Sequence, residues 1–463
     1  MAEKRGMTPQ RNIEKRDPGY ALLKSYVETV FRLYFRNIYV QNKHRIPDDA
    51  PVIFAPNHQN ALMDALAVLY SISGQPVFLA RADIFKNKVI ASILGFLKLM
   101  PVYRIRDGYT SLQNNERVLN KVSEVLFAKG ALVIFPEGNH GDRKALRPLK
   151  KGICRMALQA EEKNSFRLGL YIVPVGLDYE NYYKFHKSLL VNFGEPIPVK
   201  SFQDEYLQNS SRAYNSLKNR IAEELKKVMI HIGEVHRYHL IDHLREIYRK
   251  RMKEQMNLPD LSHPQRFKAD RRLVGICESK IQEEPHEGEA LGRKVRKFQK
   301  HLHRLNFRPW LFERQKYSMP VLLVTSSLFV LFLPLFFYGL VNNALPFFLP
   351  GLANRNVKDP QFYSSIRFGL ALVLFPLFYL VQLLVFSQFV DNGWWRLAYL
   401  VSLPLTGYAA YQYYRLLKKW WLKVRYELFR MKKPERFNML RQLREEIIRT
   451  VDRWVEKSVG PNA

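Results

Sequence analysis

Cysteine is scarce in this sequence: Cys154 and Cys277 are the two in 463 residues. Two cannot build a disulfide framework or a zinc cluster, which points to a reducing compartment. Acid is short too, with 42 Asp plus Glu against 73 Lys plus Arg and a formal net charge of +31. An excess of that size calls for an anionic partner: nucleic acid, anionic lipid or phosphorylated substrates. No apolar run precedes residue 20, so a cleaved signal peptide is not expected. No helix-turn-helix or zinc pattern occurs, so only the charge speaks for nucleic acid, and no nucleic-acid partner is expected.

What is present is apolar and aromatic. Hydrophobic residues make up 47% and aromatics 13%. Rings among basic side chains suit a membrane interface. Residues 319–340 and 368–390 carry no charge over spans long enough to cross a bilayer. Residues 394–414 read as a third span, and 344–353, with Pro346 and Pro350, as a re-entrant or broken one. Arg304, Arg308 and Arg314 precede these segments, and Arg415, Lys418 and Lys419 follow them. Basic flanks mark the cytoplasmic side, so both ends should lie there, which needs an even number of crossings. A return of the chain through 341–353 supplies it.

Five regions follow. Residues 1–45 are a tail and an amphipathic helix over 20–42, lying in the membrane interface or packed on its own domain. Residues 46–200 alternate short apolar strands with helical patterns, which argues an α/β domain with a mixed, mostly covered sheet flanked by helices. Strands are expected at 52–55, 77–80, 101–103, 131–135, 171–175 and 189–193. Residues 201–317 form a basic helical appendage, 318–415 a C-terminal α-helical membrane region, and 416–463 a basic helical tail.

Four pieces of the α/β region carry chemistry. Strand 52–55 runs into a turn bearing His58, with Asp64 six positions on. That offset is about 240° of helical rotation. So His58 belongs to the turn, Asn60 is a candidate N-cap, and Asp64 sits in the second helical turn, able to reach back. A histidine with a carboxylate behind it is a base with an orienter; for such a pair alone, a solvated loop histidine is the commoner explanation. Pro101-Val102-Tyr103-Arg104 ends a strand on an arginine that can clamp a phosphate or make a surface ion pair. Phe135-Pro136-Glu137-Gly138 places a carboxylate at a strand end with a glycine for the turn. Asn139, His140, Arg143, Arg147, Lys150 and Lys151 follow, and Gly152 opens a helix: cations and a helix N-terminus together suit an anion. Val173-Pro174-Val175-Gly176 lines a slot or belongs to the core.

The order of these pieces resembles the glycerophosphate and lysophospholipid acyltransferase family, over about residues 40–200. The resemblance implies a glycerolipid acyltransferase-like α/β domain on the cytoplasmic face of the inner membrane. It implies transfer of a fatty acyl group from acyl-CoA or acyl carrier protein to a glycerol-phosphate acceptor. The first acceptor reading is 1-acylglycerol-3-phosphate; glycerol-3-phosphate and a lyso-aminolipid are alternatives. It makes His58 the general base and Asp64 its partner. It puts Arg104, Glu137 and Gly138 at the acceptor's phosphate and glycerol, and Pro174 beside the acyl channel. No metal or cofactor is implied; the acyl thioester is a co-substrate. Anionic membrane lipids are the expected partner of the basic surface. Backbone N–H groups at the helix start are expected to steady the oxyanion.

Two departures stand out. Five residues separate His58 from Asp64 where the family usually has four; fungal glycerol-3-phosphate acyltransferases share the longer gap. Asn139 and His140 stand where Thr and then Ser or Arg are frequent. A membrane scaffold that only binds lipid is the competing reading, and the intact His58, Asp64 and Glu137 argue against it.

Overall fold

A computed structural model describes residues 13–103, 110–141, 143–260 and 262–458. The chain divides into two compact units. The first comprises residues up to His231 together with Asp359–Ser365; the second comprises Ile232–Lys358 and the chain from Ile366 on.

In the first unit the strands are β1 (Asn37–Gln41), β2 (Val52–Pro56), β3 (Val77–Arg81), β4 (Leu99–Val102), β5 (Ala131–Val133), β6 (Tyr171–Tyr179), β7 (Ser188–Phe193) and β8 (Ile197–Pro198). The helices are α1 (Pro18–Tyr34), α2 (Ala61–Ser71), α3 (Lys88–Phe96), α4 (Thr110–Phe127), α5 (Gly152–Lys163), α6 (Gln203–Gln208) and α7 (Ser210–Val228). The strands form one mixed sheet in the order β1-β7-β6-β2-β5-β3-β4, with β8 beside β6. β2 runs parallel to both its neighbours, β5 and β6, while β6 and β7 are antiparallel. All five residues of β2 are buried, as a strand covered on both faces requires. The α/β class expected from the alternation is present, and five of the six expected strands keep their positions to within two residues. The sixth, β6, runs four residues further.

A proline in the centre of a sheet normally removes a ladder bond. Pro174 avoids that. β6 pairs with β8 through Tyr171 and Ile172 and with β7 from Val175 onward. Pro174 falls between them, and its carbonyl accepts the N–H of Gly194 at 2.8 Å. Gly176 serves a different need. A Cβ there would stand 1.9 Å from the Val228 carbonyl oxygen, so only glycine lets the end of α7 approach the strand.

Two expectations change here. The helix read over 20–42 stops at Tyr34, because Phe35 turns extended and Asn37–Gln41 pair with Ser188–Asn192. β-branched Ile38 and Val40 suit that edge strand. α1 leaves Leu22, Tyr26 and Leu33 exposed while burying Tyr20, Phe31 and Tyr34. The compact unit also passes residue 200. Ala213, Leu217, Ile221, Leu225 and Val228 of α7 lie in the same core as β2, β5 and α5, so this stretch of the expected appendage belongs to the α/β unit.

The second unit is helical: α8 (Tyr238–Gln255), α9 (His263–Glu283), α10 (Pro285–Leu305), α11 (Met319–Leu331), α12 (Leu333–Ala353), α13 (Tyr363–Ser387, its first three residues in the first unit), α14 (Gly393–Lys432) and α15 (Pro434–Ser458). α8, α9, α10 and α15 pack together. Trp454 of α15 is fully buried, and its indole N–H donates to Glu287 at 2.7 Å. The expected tail is therefore part of the helical bundle, because its apolar face (Leu440, Ile447, Val451, Trp454) needs cover.

Among the described residues, two stretches are long and apolar enough to cross a membrane: Leu333–Asn356 and Pro360–Ser387, with mean hydropathy 1.3 and 2.4. The expected span 319–340 is divided at Phe332, where Pro334 cannot continue the hydrogen-bond ladder. Residues 344–353, read as a separate piece, continue α12 through Pro346 and Pro350. The expected span 394–414 is the first half of the 40-residue helix α14; its tyrosines, glutamine and proline keep it less apolar than the other two. Many large apolar side chains of these helices are exposed, among them Val321, Leu323, Val373, Leu380 and Leu384.

Candidate active site

β2 and β5 are parallel neighbours, so the turns that leave their C-terminal ends fall side by side. One turn carries His58 and the other Glu137. That end of a parallel sheet is where α/β domains bind ligands.

The His58 Nδ1 lies 2.9 Å from Asp64 Oδ2. The same carboxylate oxygen accepts the N–H of Gln59 at 2.7 Å and of Asn60 at 2.6 Å. Its other oxygen accepts the Tyr179 hydroxyl at 2.8 Å. Asp64 is fully buried and stands in the first turn of α2, not the second. Asn60 holds the N-cap position but makes no side-chain cap bond; Asp64 satisfies those helix-start donors from inside the helix. The Gln59 and Asn60 N–H groups are thereby engaged and do not supply the oxyanion donors expected there. Ala61 begins α2 at φ +42°, an uncommon conformation for a residue with a Cβ. With a carboxylate at Nδ1, a neutral His58 carries its proton on Nδ1 and its lone pair on Nε2.

Glu137 reaches the same turn. Its Oε1 accepts the His58 N–H at 2.8 Å and its Oε2 the Arg147 N–H at 3.2 Å. It is buried, and burial pushes its carboxyl up to about 7 against the pull of those two donors. Gly138 turns the chain at φ +70°, and the Gly141 N–H closes back on the His58 carbonyl at 3.0 Å. Phe135 stacks on the His58 ring with centroids 4.1 Å apart. Glu137 thus acts on the His58 backbone, with both oxygens engaged.

Arg104 lies outside the described residues. Arg143 and Lys150 are exposed and Lys151 half-buried at the start of α5; the Arg143 carbonyl accepts from the Gln59 amide at 2.8 Å. Pro174 is buried in the sheet, one strand from β2.

Several residues of the site were not anticipated. Tyr179 ends β6, the strand that carries Val-Pro-Val-Gly, and its phenol is pushed well up by burial and by Asp64. Asn57 ties its side chain to β6 at both ends, through Leu177 N–H (2.6 Å) and Leu177 carbonyl (3.2 Å). Lys144 and Asp178 form a buried ion pair. His140, named in the sequence only as part of the anion-binding stretch, sits edge-on to His58 at 5.5 Å and bonds Asp359 at 3.1 Å; burial lowers its pKa, with Asp359 opposing. Asn57 and Gln59, polar and buried beside a histidine, were visible signals; Asp359 had none. Among the described residues no group of three His, Cys, Asp or Glu could hold a metal ion.

A family model described as Acyltransferase matches residues 37–178, the whole of the stretch just described from β1 to Asp178. The chain carries an acyltransferase domain. It is similar to glycerol-3-phosphate O-acyltransferase 2 of Saccharomyces cerevisiae, 28% identical over 44% of this chain and 30% of that protein. Glycerol-3-phosphate O-acyltransferase 1 of the same yeast is 29% identical over 33% of this chain and 20% of its own length. The human 1-acyl-sn-glycerol-3-phosphate acyltransferase alpha is 23% identical over 37% of this chain and 56% of its length. The alignments thus span less than a third of either yeast relative. Among solved structures, the 1-acyl-sn-glycerophosphate acyltransferase of Thermotoga maritima aligns at a TM-score of 0.33 and 19% identity, over 47% of this chain and 84% of that one. The acyltransferase domain contains both His58 and Glu137, and α2 to β6 with them.

Proposed function

We propose that the chain is a membrane-bound O-acyltransferase. It moves a fatty acyl group from an acyl thioester, acyl-CoA or acyl carrier protein, to a hydroxyl of a glycerol-phosphate acceptor. The carrying observation is the His58–Asp64 pair at 2.9 Å inside an acyltransferase domain. His58 Nε2 takes the acceptor's hydroxyl proton as the oxygen attacks the thioester carbonyl. The tetrahedral intermediate then expels the thiolate, which takes that proton from the imidazolium. Buried Asp64 steadies the imidazolium and holds the tautomer, help of a kind typically worth about 10² to 10⁴ in rate.

1-Acylglycerol-3-phosphate, giving phosphatidic acid, is the first acceptor reading. Glycerol-3-phosphate is the second, favoured by the long His58–Asp64 gap and by the names of the two yeast relatives. The cations Arg143, Lys150 and Lys151 suit either phosphate. The apolar stretches Leu333–Asn356 and Pro360–Ser387, with their exposed leucines and valines, suit a bilayer. Our reading puts the domain on the cytoplasmic face of the inner membrane; the basic flanks support that side, and the net charge suits anionic lipid.

The test is acyl transfer by detergent-solubilised protein, with labelled acyl-CoA and acyl carrier protein against a panel of glycerol-phosphate and lyso-lipid acceptors. Label should appear in a glycerol-phosphate product. Binding to anionic vesicles with no transfer to any acceptor supports the scaffold instead.

A further inference from the structure

Residues 359–365 fall in sequence around the junction of the two candidate membrane helices, yet they belong to the compact unit of the acyltransferase domain. Their contacts converge on the His58 turn. Asp359 Oδ2 bonds His140 Nε2 at 3.1 Å. The Phe362 ring meets the same imidazole edge-on, with centroids 4.7 Å apart at 85°. The Ser364 hydroxyl donates to Asn60 Oδ1 at 2.6 Å. His140 in turn stands edge-on to His58 at 5.5 Å.

We propose that this segment forms one wall of the acceptor site, and that Asp359 is a positioning residue there, holding His140 beside His58. The inference rests on the acyl-transfer reading above. With a carboxylate at Nε2, a neutral His140 keeps its proton on Nε2 and a lone pair on Nδ1. The carboxylate and Phe362 fix the ring on two sides, so the space next to the base has a defined boundary. The wall carries hydroxyl, carboxylate, imidazole and aromatic groups. That chemistry matches the hydroxyls of a glycerol head group, not an acyl chain of methylenes. A boundary displaced by an ångström beside the base misaligns the attacking oxygen.

The experiment is steady-state transfer by the full chain in detergent, with acceptor and donor varied separately. Asp359→Ala and Phe362→Leu should each lower kcat/KM for the acceptor by about ten- to a hundred-fold, with the donor KM and the unfolding temperature unchanged. Asp359→Glu should recover part of the loss. The Asp359→Ala/His140→Ala double variant should be no worse than Asp359→Ala, since both act through one ring. Wild-type acceptor kinetics in Asp359→Ala, an equal rise of both KM values, or no recovery in Asp359→Glu overturns the proposal. His58→Ala, run alongside, separates the two claims. If it keeps full activity, the acyl-transfer reading falls; if it is inactive while Asp359→Ala is normal, only this inference falls.

Discussion

Glu137 accepts the backbone N–H of His58 across 79 residues of chain, at 2.8 Å. The two turns of the site are thus tied by a carboxylate that is itself buried. This gives Glu137 a pH signature. Its folded pKa is raised, to about 7 from an ordinary 4.5, so the folded state binds the proton more tightly than the unfolded chain. Its contribution to stability is full below about pH 4.5 and is lost as pH rises through about 7. Replacing it by Gln should flatten the stability–pH curve over that window, by an amount on the order of 3 kcal/mol between its ends. Chemical unfolding of both proteins at pH 4.5 and 8 measures the difference; parallel curves contradict the assignment.

Asp64 gathers four donors: an imidazole, two backbone N–H groups and a phenol. Asp64→Asn keeps the shape but removes the charge that holds the His58 tautomer. Its kcat should fall about 10² to 10⁴-fold, with the acceptor KM little changed. Single-turnover transfer assays give both.

Tyr179→Phe takes one donor from Asp64 and leaves a buried carboxylate oxygen unpaired. The loss should be about 1–3 kcal/mol of stability. Thermal unfolding in detergent reads the stability loss, and transfer rates should fall with it because Asp64 loses its anchor on β6.

At Gly176 the constraint is steric. Even the alanine methyl meets the Val228 carbonyl at 1.9 Å, so Gly176→Ala must push α7 away from the sheet. A destabilisation of about 1–3 kcal/mol or more is expected, visible as a lowered unfolding midpoint. An unshifted midpoint contradicts the packing described here.

How much of this was legible in the sequence depends on how local the cause is. β2, the His58 turn and α2 are consecutive, and each announces itself by an apolar run, a polar turn and a helical period. The turn at Glu137 was equally plain, because its proline and glycine are turn residues. That the two turns meet follows from β2 and β5 being parallel neighbours, which no local pattern states. Tyr179 lies four residues past the expected end of its strand at 175, and only the fold aims it at Asp64. β1 was hidden behind α1, whose amphipathic pattern runs on into Ile38 and Val40. Least legible was Asp359, 219 residues from the histidine it bonds, in a segment that reads as a loop between apolar runs.

The central claim is that the His58 imidazole is the base of an acyl transfer. His58→Ala, assayed with labelled acyl thioester and a glycerol-phosphate acceptor, tests it most directly. General-base help of about 10² to 10⁴ in rate should vanish, while recovery in the membrane fraction and the unfolding midpoint stay near those of the parent. Transfer at the parent rate in a folded His58→Ala protein contradicts the account.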